Sequence, residues 1–259
     1  MSAWDDLDHE LDAWKDAGRR ATLWWRDDDA CSDTPALQRL LHIARENDVP
    51  VAIAAIPASA DATLVDAVGA SAHATIVQHG YEHANHQPAG ERAAELGSQR
   101  SVAECIDELG TGRVALQGLL GSRFHAVLVP PWNRIAGALV SQLPSAGLTG
   151  LSCFGPRETA APSARLRQVN THVDLIAWKR DRAFIGVGSA VARLVSHLAA
   201  RRKGTVDAAE ATGLLTHHLV FTPDAFDFVD ALYARTRRHP AVKWLDVTAL
   251  FDAAPTRVT

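Results

Sequence analysis

The sequence predicts an α/β protein built on a mostly parallel sheet, either open or closed into a barrel. Short apolar runs alternate along the chain with longer amphipathic segments, and polar clusters follow several of the apolar runs. The chain has 259 residues, of which 47% are hydrophobic. An α/β barrel commonly uses a chain of this length as one domain. We therefore expect one domain over residues 1–259, with residues 1–20 as an N-terminal helical extension.

Eight apolar runs are short enough, and sufficiently bounded by Pro, Gly or polar residues, to be buried strands. They occupy residues 21–25, 51–56, 74–77, 126–129, 148–154, 168–173, 213–216 and 242–245. Six other segments repeat apolar residues three and four positions apart, as a helix with one face on the core does. These predicted helices occupy residues 34–47, 61–70, 102–120, 135–143, 190–201 and 224–237.

Composition and charge exclude several classes of protein. Acidic residues outnumber basic ones by 30 to 26, whereas nucleic-acid binders usually carry a basic excess, so we expect no nucleic-acid partner. No uncharged apolar run approaches the roughly 18 residues of a membrane span, and the N-terminus lacks the pattern of a secretory signal. The three cysteines are an odd number without paired spacing. This pattern favours a reducing compartment, and we expect a cytoplasmic protein without membrane insertion.

Five polar clusters follow predicted strands, where the side chains of a parallel α/β fold converge on one face. They are residues 26–29, 78–86, 130–133, 170–178 and 214–218. Five clusters placed in this way indicate an active site more strongly than any one of them alone.

His79 and His83 have the spacing of two metal ligands, since residues four apart share a helix face if Gly80 begins a helix. With one carboxylate from Asp27–Asp29 they form a His₂Asp set, which leaves positions open as catalytic zinc sites do. Spacing alone does not decide which aspartate binds metal and which faces the water. Two alternatives stay open: ordinary hydrogen-bonded histidines, and the ligand triad of a non-haem iron oxygenase.

Two further clusters have both a structural and a functional interpretation. Residues 130–133, Pro-Pro-Trp-Asn, form a rigid turn that either lines a substrate groove or only ends a strand. His217 and His218 flank a strand end, so at most one of them faces the site because neighbouring side chains alternate.

In this order, the clusters resemble the motifs of the polysaccharide deacetylase family (NodB-homology, carbohydrate esterase family 4). Asp28-Asp29 resembles the family's Asp-Asp, and His79 with His83 matches its His-x-x-x-His. Residues 129–133 resemble its turn, Asp174 with Trp178 its Asp/Trp segment, and residues 214–217 its late Leu-x-x-His. The resemblance spans about residues 24–218 and implies a distorted (β/α) barrel of about seven parallel strands.

The resemblance also implies an activity and roles for the residues. Asp29, His79 and His83 would hold a divalent metal, usually zinc. Asp28 would be the general base and His217 the general acid in removing an acetyl group from an N-acetylated, or less commonly O-acetylated, carbohydrate-like substrate. The remaining motif residues would contact that substrate: Pro131, Trp132, Asn133, Asp174 and Trp178.

The sequence departs from the family pattern at several motif positions. Ala30 follows the aspartates, Gly80 replaces a Ser or Thr, and Val129 stands where the turn carries an arginine. Arg26 is a candidate to supply that charge from another strand. These departures motivate two alternatives: a non-catalytic sugar-binding or regulatory protein on the same barrel, and a related hydrolase of non-sugar amides. The sequence leaves homo-oligomerisation open.

Overall fold

The computed structural model describes residues 2–252, which form a single sheet surrounded by helices. The strands are β1 (Ala21–Ala30), β2 (Val51–Ala55), β3 (Ala74–His79), β4 (Phe124–Val129), β5 (Gly150–Leu151), β6 (Arg167–Gln168), β7 (Val173–Asp174), β8 (Thr212–Thr216) and β9 (Val242–Trp244). The helices are α1 (Ala3–Asp16), α2 (Pro35–Asn47), α3 (Ala62–Gly69), α4 (Val102–Leu120), α5 (Gly137–Val140), α6 (Val187–Lys203), α7 (Pro223–Thr236) and α8 (Val247–Phe251).

The named strands pair in parallel, in the order β6-β5-β4-β3-β2-β1-β8-β7, and β9 also pairs with β1. The segment 167–175 forms both ends of this order, as β6 beside β5 and as β7 beside β8. The N–H of Val169 donates to Leu151, whereas the N–H of His172 donates to Gly213. The sheet therefore curls into the predicted distorted barrel. The order contains eight strands rather than about seven, because this segment changes partner midway and divides into β6 and β7.

The helix boundaries largely follow the predicted ones because capping residues fix them. Ser101 and Glu104 form a capping box at the start of α4, and Thr34 caps α2. α5 is shorter than the predicted helix over 135–143, because the chain passes into a separate 3-10 turn at Leu143–Ala146 that contains a proline.

The core forms on both faces of β1, as expected for a strand in the middle of a covered sheet. Leu23 and Trp25 belong to the largest apolar cluster, whereas Trp24 belongs to a second cluster on the other face. α1 packs against α6 and buries Leu7 and Trp14 in the largest cluster. Among residues 2–252, none of the helices combines the length and apolar composition that crossing a bilayer requires.

We expect Gly213→Ala to destabilise the fold. A Cβ at position 213 would lie 2.7 Å from the Cα of Thr171 and 2.8 Å from the carbonyl oxygen of Asn170, and neither backbone atom can move easily. Overpacking of this kind costs about 1–3 kcal/mol or more. The matched control is Gly118→Ala in α4, where the added Cβ meets nothing within 4 Å. Helix propensity predicts that this control gains about 1 kcal/mol. Urea unfolding measures both, and equal effects would contradict the prediction.

Candidate active site at the carboxyl end of the sheet

β1 brings four charged residues to the carboxyl end of the sheet, between β2 and β8. Arg26, Asp27 and Asp28 are essentially inaccessible to solvent. Asp29 has a φ of 75°, in the left-handed region, and its side chain is partly exposed. The strand therefore leaves its regular alternation at Asp29, and the three aspartates reach three different surroundings.

Asp29 lies with His79 and His83, the predicted metal ligands. Asp29 Oδ1 is 3.0 Å from His79 Nε2 and 3.4 Å from His83 Nε2. One ligand atom from each residue lies within 4.8 Å of the other two. The structure brings together the three residues that the sequence proposed as a set.

Gly80 does not begin a helix, the condition under which the spacing of four would place both histidines on one face, because residues 80–86 form a loop. Gly80 and His83 have φ angles of 56° and 60°, which an α-helix does not contain. The Gly80 N–H donates to the carbonyl of Val129, so the chain turns at the end of β3. The two imidazoles meet through this turn, with ring centroids 5.1 Å apart.

The donor set fits a divalent cation. His79 Nδ1 lies 3.0 Å from the carbonyl oxygen of Val129. A carbonyl only accepts, so Nδ1 carries the hydrogen and Nε2 points toward Asp29. A backbone partner on the outer nitrogen is usual for a metal-binding histidine. Two imidazoles and one carboxylate are also the ligand types of catalytic zinc sites.

The charges of these groups are coupled. Burial lowers the pKa of His79, but the hydrogen bond to Asp29 and the neighbouring carboxylates outweigh burial and raise it. Burial would raise the pKa of Asp29, yet the bond to His79 holds it well below its usual range. Burial and the charge of His79 lower the pKa of His83. Asp29 is therefore ionised and placed to bind a cation.

Asp28 is held apart from this set by Arg26. Arg26 Nε donates to Asp28 Oδ1 at 2.8 Å, and its Nη2 donates to Oδ2 at 3.0 Å. This bidentate geometry fixes the carboxylate plane as well as its position. Arg26 therefore supplies a charge to Asp28 from within β1, two residues away.

Other contacts fix the guanidinium itself. Its Nη1 donates to Ser152 Oγ at 2.7 Å and to the Ser152 carbonyl at 3.0 Å, and its Nη2 donates to Asn133 Oδ1 at 2.7 Å. Val129 is fully buried in an apolar cluster. Asn133 therefore serves as an anchor for Arg26, a contact that the sequence did not predict.

His217 and Trp178 lie beside Asp28. His217 Nε2 is 4.0 Å from Asp28 Oδ2, and its Nδ1 is buried with no hydrogen-bond partner among the described residues. The Trp178 ring meets His217 edge-on, with centroids 4.7 Å apart, while its Nε1 donates to Asp174 at 2.8 Å. Burial raises the pKa of Asp174 above its ordinary value. Trp178 thus joins two of the predicted site residues.

His218 turns away from this group and pairs with Asp27. His218 Nδ1 and its backbone N–H both contact the Asp27 carboxylate, and Thr216 Oγ1 donates to it at 2.6 Å. All three residues are buried. This second ion pair was not predicted from the sequence, although the alternation of His217 and His218 was.

The turn after β4 forms another wall of the site. Pro131 is buried, and Trp132 and Asn133 both have positive φ angles, 55° and 56°. The Trp132 ring lies 4.4 Å from the His83 ring, centroid to centroid. The turn therefore places one aromatic side chain beside the cation-binding set, and Trp178 places another beside His217.

We expect Arg26→Met to lower the free energy of unfolding by about 3–5 kcal/mol, because removal of one partner leaves the buried Asp28 carboxylate uncompensated. The double variant Arg26→Met/Asp28→Asn should recover part of this loss. As a control, Arg39→Met removes an exposed pair with Asp227 and should cost less than about 1 kcal/mol. Urea unfolding of the parent and the three variants tests this prediction. A double variant no more stable than Arg26→Met would contradict it.

Comparisons by sequence find no relative: no protein-family model matches the chain, and no curated protein is significantly similar to it. Comparison with solved structures does find similar proteins. A protein of Mycobacterium smegmatis assigned as a polysaccharide deacetylase matches with a TM-score of 0.67 at 17% identity, over 90% of each chain. A family 4 carbohydrate esterase from Streptomyces lividans, in complex with acetate, matches with a TM-score of 0.53 at 18% identity, over 84% of this chain and 90% of its own.

A third similar structure is a CE4 family pseudoenzyme from Bacillus anthracis. Its TM-score is 0.58 at 15% identity, over 90% of this chain and 66% of that one. Enzymes and a pseudoenzyme thus share the architecture described above. The chain has the fold of the polysaccharide deacetylases, the distorted (β/α) barrel of the NodB-homology type.

Proposed function

We propose that this protein is a metal-dependent hydrolase that removes an acetyl group from an N-acetylated, or O-acetylated, carbohydrate-like substrate. The observation that carries the proposal is the separation of two neighbouring carboxylates. Asp29 lies with His79 and His83, whereas Asp28 is held by Arg26 and is buried beside them. One carboxylate is thus available for a cation and the other for proton transfer.

Asp29, His79 and His83 would hold the divalent ion, and zinc is the expected one for this donor set. When bound, such an ion polarises an acyl oxygen and lowers the pKa of water to about 7. Asp28 would take the proton from the attacking water. Its bidentate bond to Arg26 keeps the carboxylate in one orientation throughout.

His217 would supply the proton that the leaving amine needs. Its Nε2 lies 4.0 Å from Asp28 Oδ2, outside the proposed metal-binding set, and its buried Nδ1 has no hydrogen-bond partner among the described residues. Water adds to the acyl carbon, the carbon–nitrogen bond breaks, and acetate and a free amine result. A backbone N–H near Trp132 would stabilise the developing oxyanion.

The substrate would lie between two aromatic side chains. Trp132 adjoins His83, and Trp178 adjoins His217 with 38% of its surface exposed. Aromatic faces of this kind suit the apolar face of a sugar ring, and Pro131, Asn133 and Asp174 would complete the substrate-binding wall.

We propose one catalytic domain that acts in the cytoplasm, supported by the three unpaired cysteines Cys31, Cys105 and Cys153.

Two alternatives are distinguished by turnover. The similarity to a pseudoenzyme favours a non-catalytic sugar-binding or regulatory protein on the same barrel. This alternative predicts ligand binding without acetate release. The turn at residues 129–133 has Val129 where the family pattern has an arginine, and this change favours a hydrolase of non-sugar amides. Such an enzyme would release a product from those amides but not from acetylated sugars.

We expect the purified protein to bind about one divalent ion per chain, and His79→Ala to lose it, because the variant keeps only two of three ligands. Elemental mass spectrometry after equilibration with zinc measures the content. His42→Ala, an exposed histidine on α2, is the matched control and should keep the ion. Absence of metal from the parent after reconstitution with zinc, cobalt, nickel, manganese or iron would end the hydrolase proposal.

We expect Asp28→Asn to keep its metal and lose about 10²- to 10⁴-fold in acetate release, the usual contribution of a general base. The assay measures acetate released from N-acetylglucosamine and its short oligomers. Asp66→Asn removes an exposed carboxylate on α3 and should leave the rate unchanged. Substantial hydrolysis by Asp28→Asn would exclude Asp28 as the base.

A further inference from the structure

The loop that carries His83 is held by a buried carboxylate outside the motifs. Glu95 has none of its surface exposed. Its Oε1 accepts the backbone N–H of Glu82 at 2.8 Å and that of His83 at 3.2 Å, and its Oε2 accepts the N–H of Tyr81 at 3.1 Å. Three successive amides thus converge on one side chain.

These amides offset part of the cost of burying the Glu95 carboxylate, although its pKa stays above the ordinary value because burial outweighs them. Successive N–H groups that point to one side form a cradle for an anion. Burial raises the pKa of Glu95, while the three amides act in the opposite sense. Among the described residues these three amides donate to no other acceptor, so the Glu95 carboxylate is the group that fixes the loop backbone here.

Position 80 must lack a side chain for this arrangement to exist. A Cβ at Gly80 would lie 1.8 Å from Glu95 Oε2, and the residue also has a φ of 56°. Gln78 holds the other side of the turn, since its Nε2 donates to the carbonyl of Gly80 at 2.9 Å. The glycine and the glutamate thus fit each other.

We propose that Glu95 is a positioning residue for the metal site: it holds residues 81–83 in the turn that places the His83 imidazole beside Asp29. Gly80, which replaces the hydroxyl residue expected from the family pattern, provides the space for this carboxylate. This inference rests on the proposed function, because it requires that His79, His83 and Asp29 bind an ion.

The test is Glu95→Gln, which keeps the shape of the side chain but puts an NH₂ group where one oxygen accepts a backbone hydrogen. Loss of a partner that orients a ligand typically weakens metal binding about 10- to 100-fold. We expect a dissociation constant for zinc raised by about this factor, measured by competition with a chromophoric chelator. Glu82→Gln is the control, since it removes a carboxylate from the same loop whose contact within residues 2–252 is an ion pair with His86 at 3.7 Å.

A second readout separates positioning from general stability. We expect the visible spectrum of the cobalt(II)-loaded Glu95→Gln protein to differ from that of the parent, because His83 takes a different position. The spectrum of Glu82→Gln should match the parent. Unchanged zinc affinity together with an unchanged cobalt spectrum in Glu95→Gln would overturn the inference.

Hydrogen exchange of the parent protein covers the case in which Glu95→Gln does not fold. We expect the amides of residues 81–83 to exchange at least about tenfold more slowly than unprotected amides, even without metal, because Glu95 accepts all three. Exchange at the unprotected rate would overturn the inference. If the parent protein binds no metal but its amides at residues 81–83 still exchange slowly, the proposed function is refuted. The contact between Glu95 and the loop backbone would then stand without it.

Discussion

The site depends on the need to compensate three consecutive carboxylates at the end of a buried strand. A buried charge without a partner is costly, so each aspartate needs its own. Asp27 pairs with His218, Asp28 with Arg26, and Asp29 with the histidines of the metal-binding set. Strand alternation separates Asp27 from Asp28, and the positive φ of Asp29 turns it in a third direction. Adjacent residues of one type thereby acquire different chemical environments.

Arg26 shows that a charge can be supplied to the same position from a different part of the chain. The motif pattern of the family that the sequence resembles has an arginine in this turn, whereas this chain has Val129 there, buried in an apolar cluster. The guanidinium instead comes from β1 and is fixed by Ser152 and Asn133. The turn still contributes, through the side chain of Asn133. A comparison of motifs alone therefore finds Val129 in place of the arginine, whereas the structure shows a guanidinium from β1 bound to Asp28.

The loop after β3, which carries His83, also departs from the expected motif. Gly80 removes a hydroxyl from the His-x-x-x-His motif, and Glu95 occupies the space above the glycine and binds the loop amides. These two departures each place a residue from outside the expected motifs against a predicted site residue: Arg26 binds Asp28, and Glu95 accepts the backbone N–H of His83. They are consistent with the low identity, 17% and 18%, between this chain and proteins that share its fold.

The sequence by itself determined the class of fold, most helix boundaries and the set of residues at the carboxyl edge, because apolar periodicity and capping are local properties. It also proposed Arg26 as a replacement charge, but only the structure shows its bidentate bond to Asp28. The structure alone decided the loop after Gly80, the divided strand at 167–175 and the pairing of Asp27 with His218. Each of these depends on contacts between residues far apart in the chain, such as Glu95 with the loop or His218 with β1. Neither local spacing nor periodicity contains that information, because it arises only when the curled sheet brings those segments together.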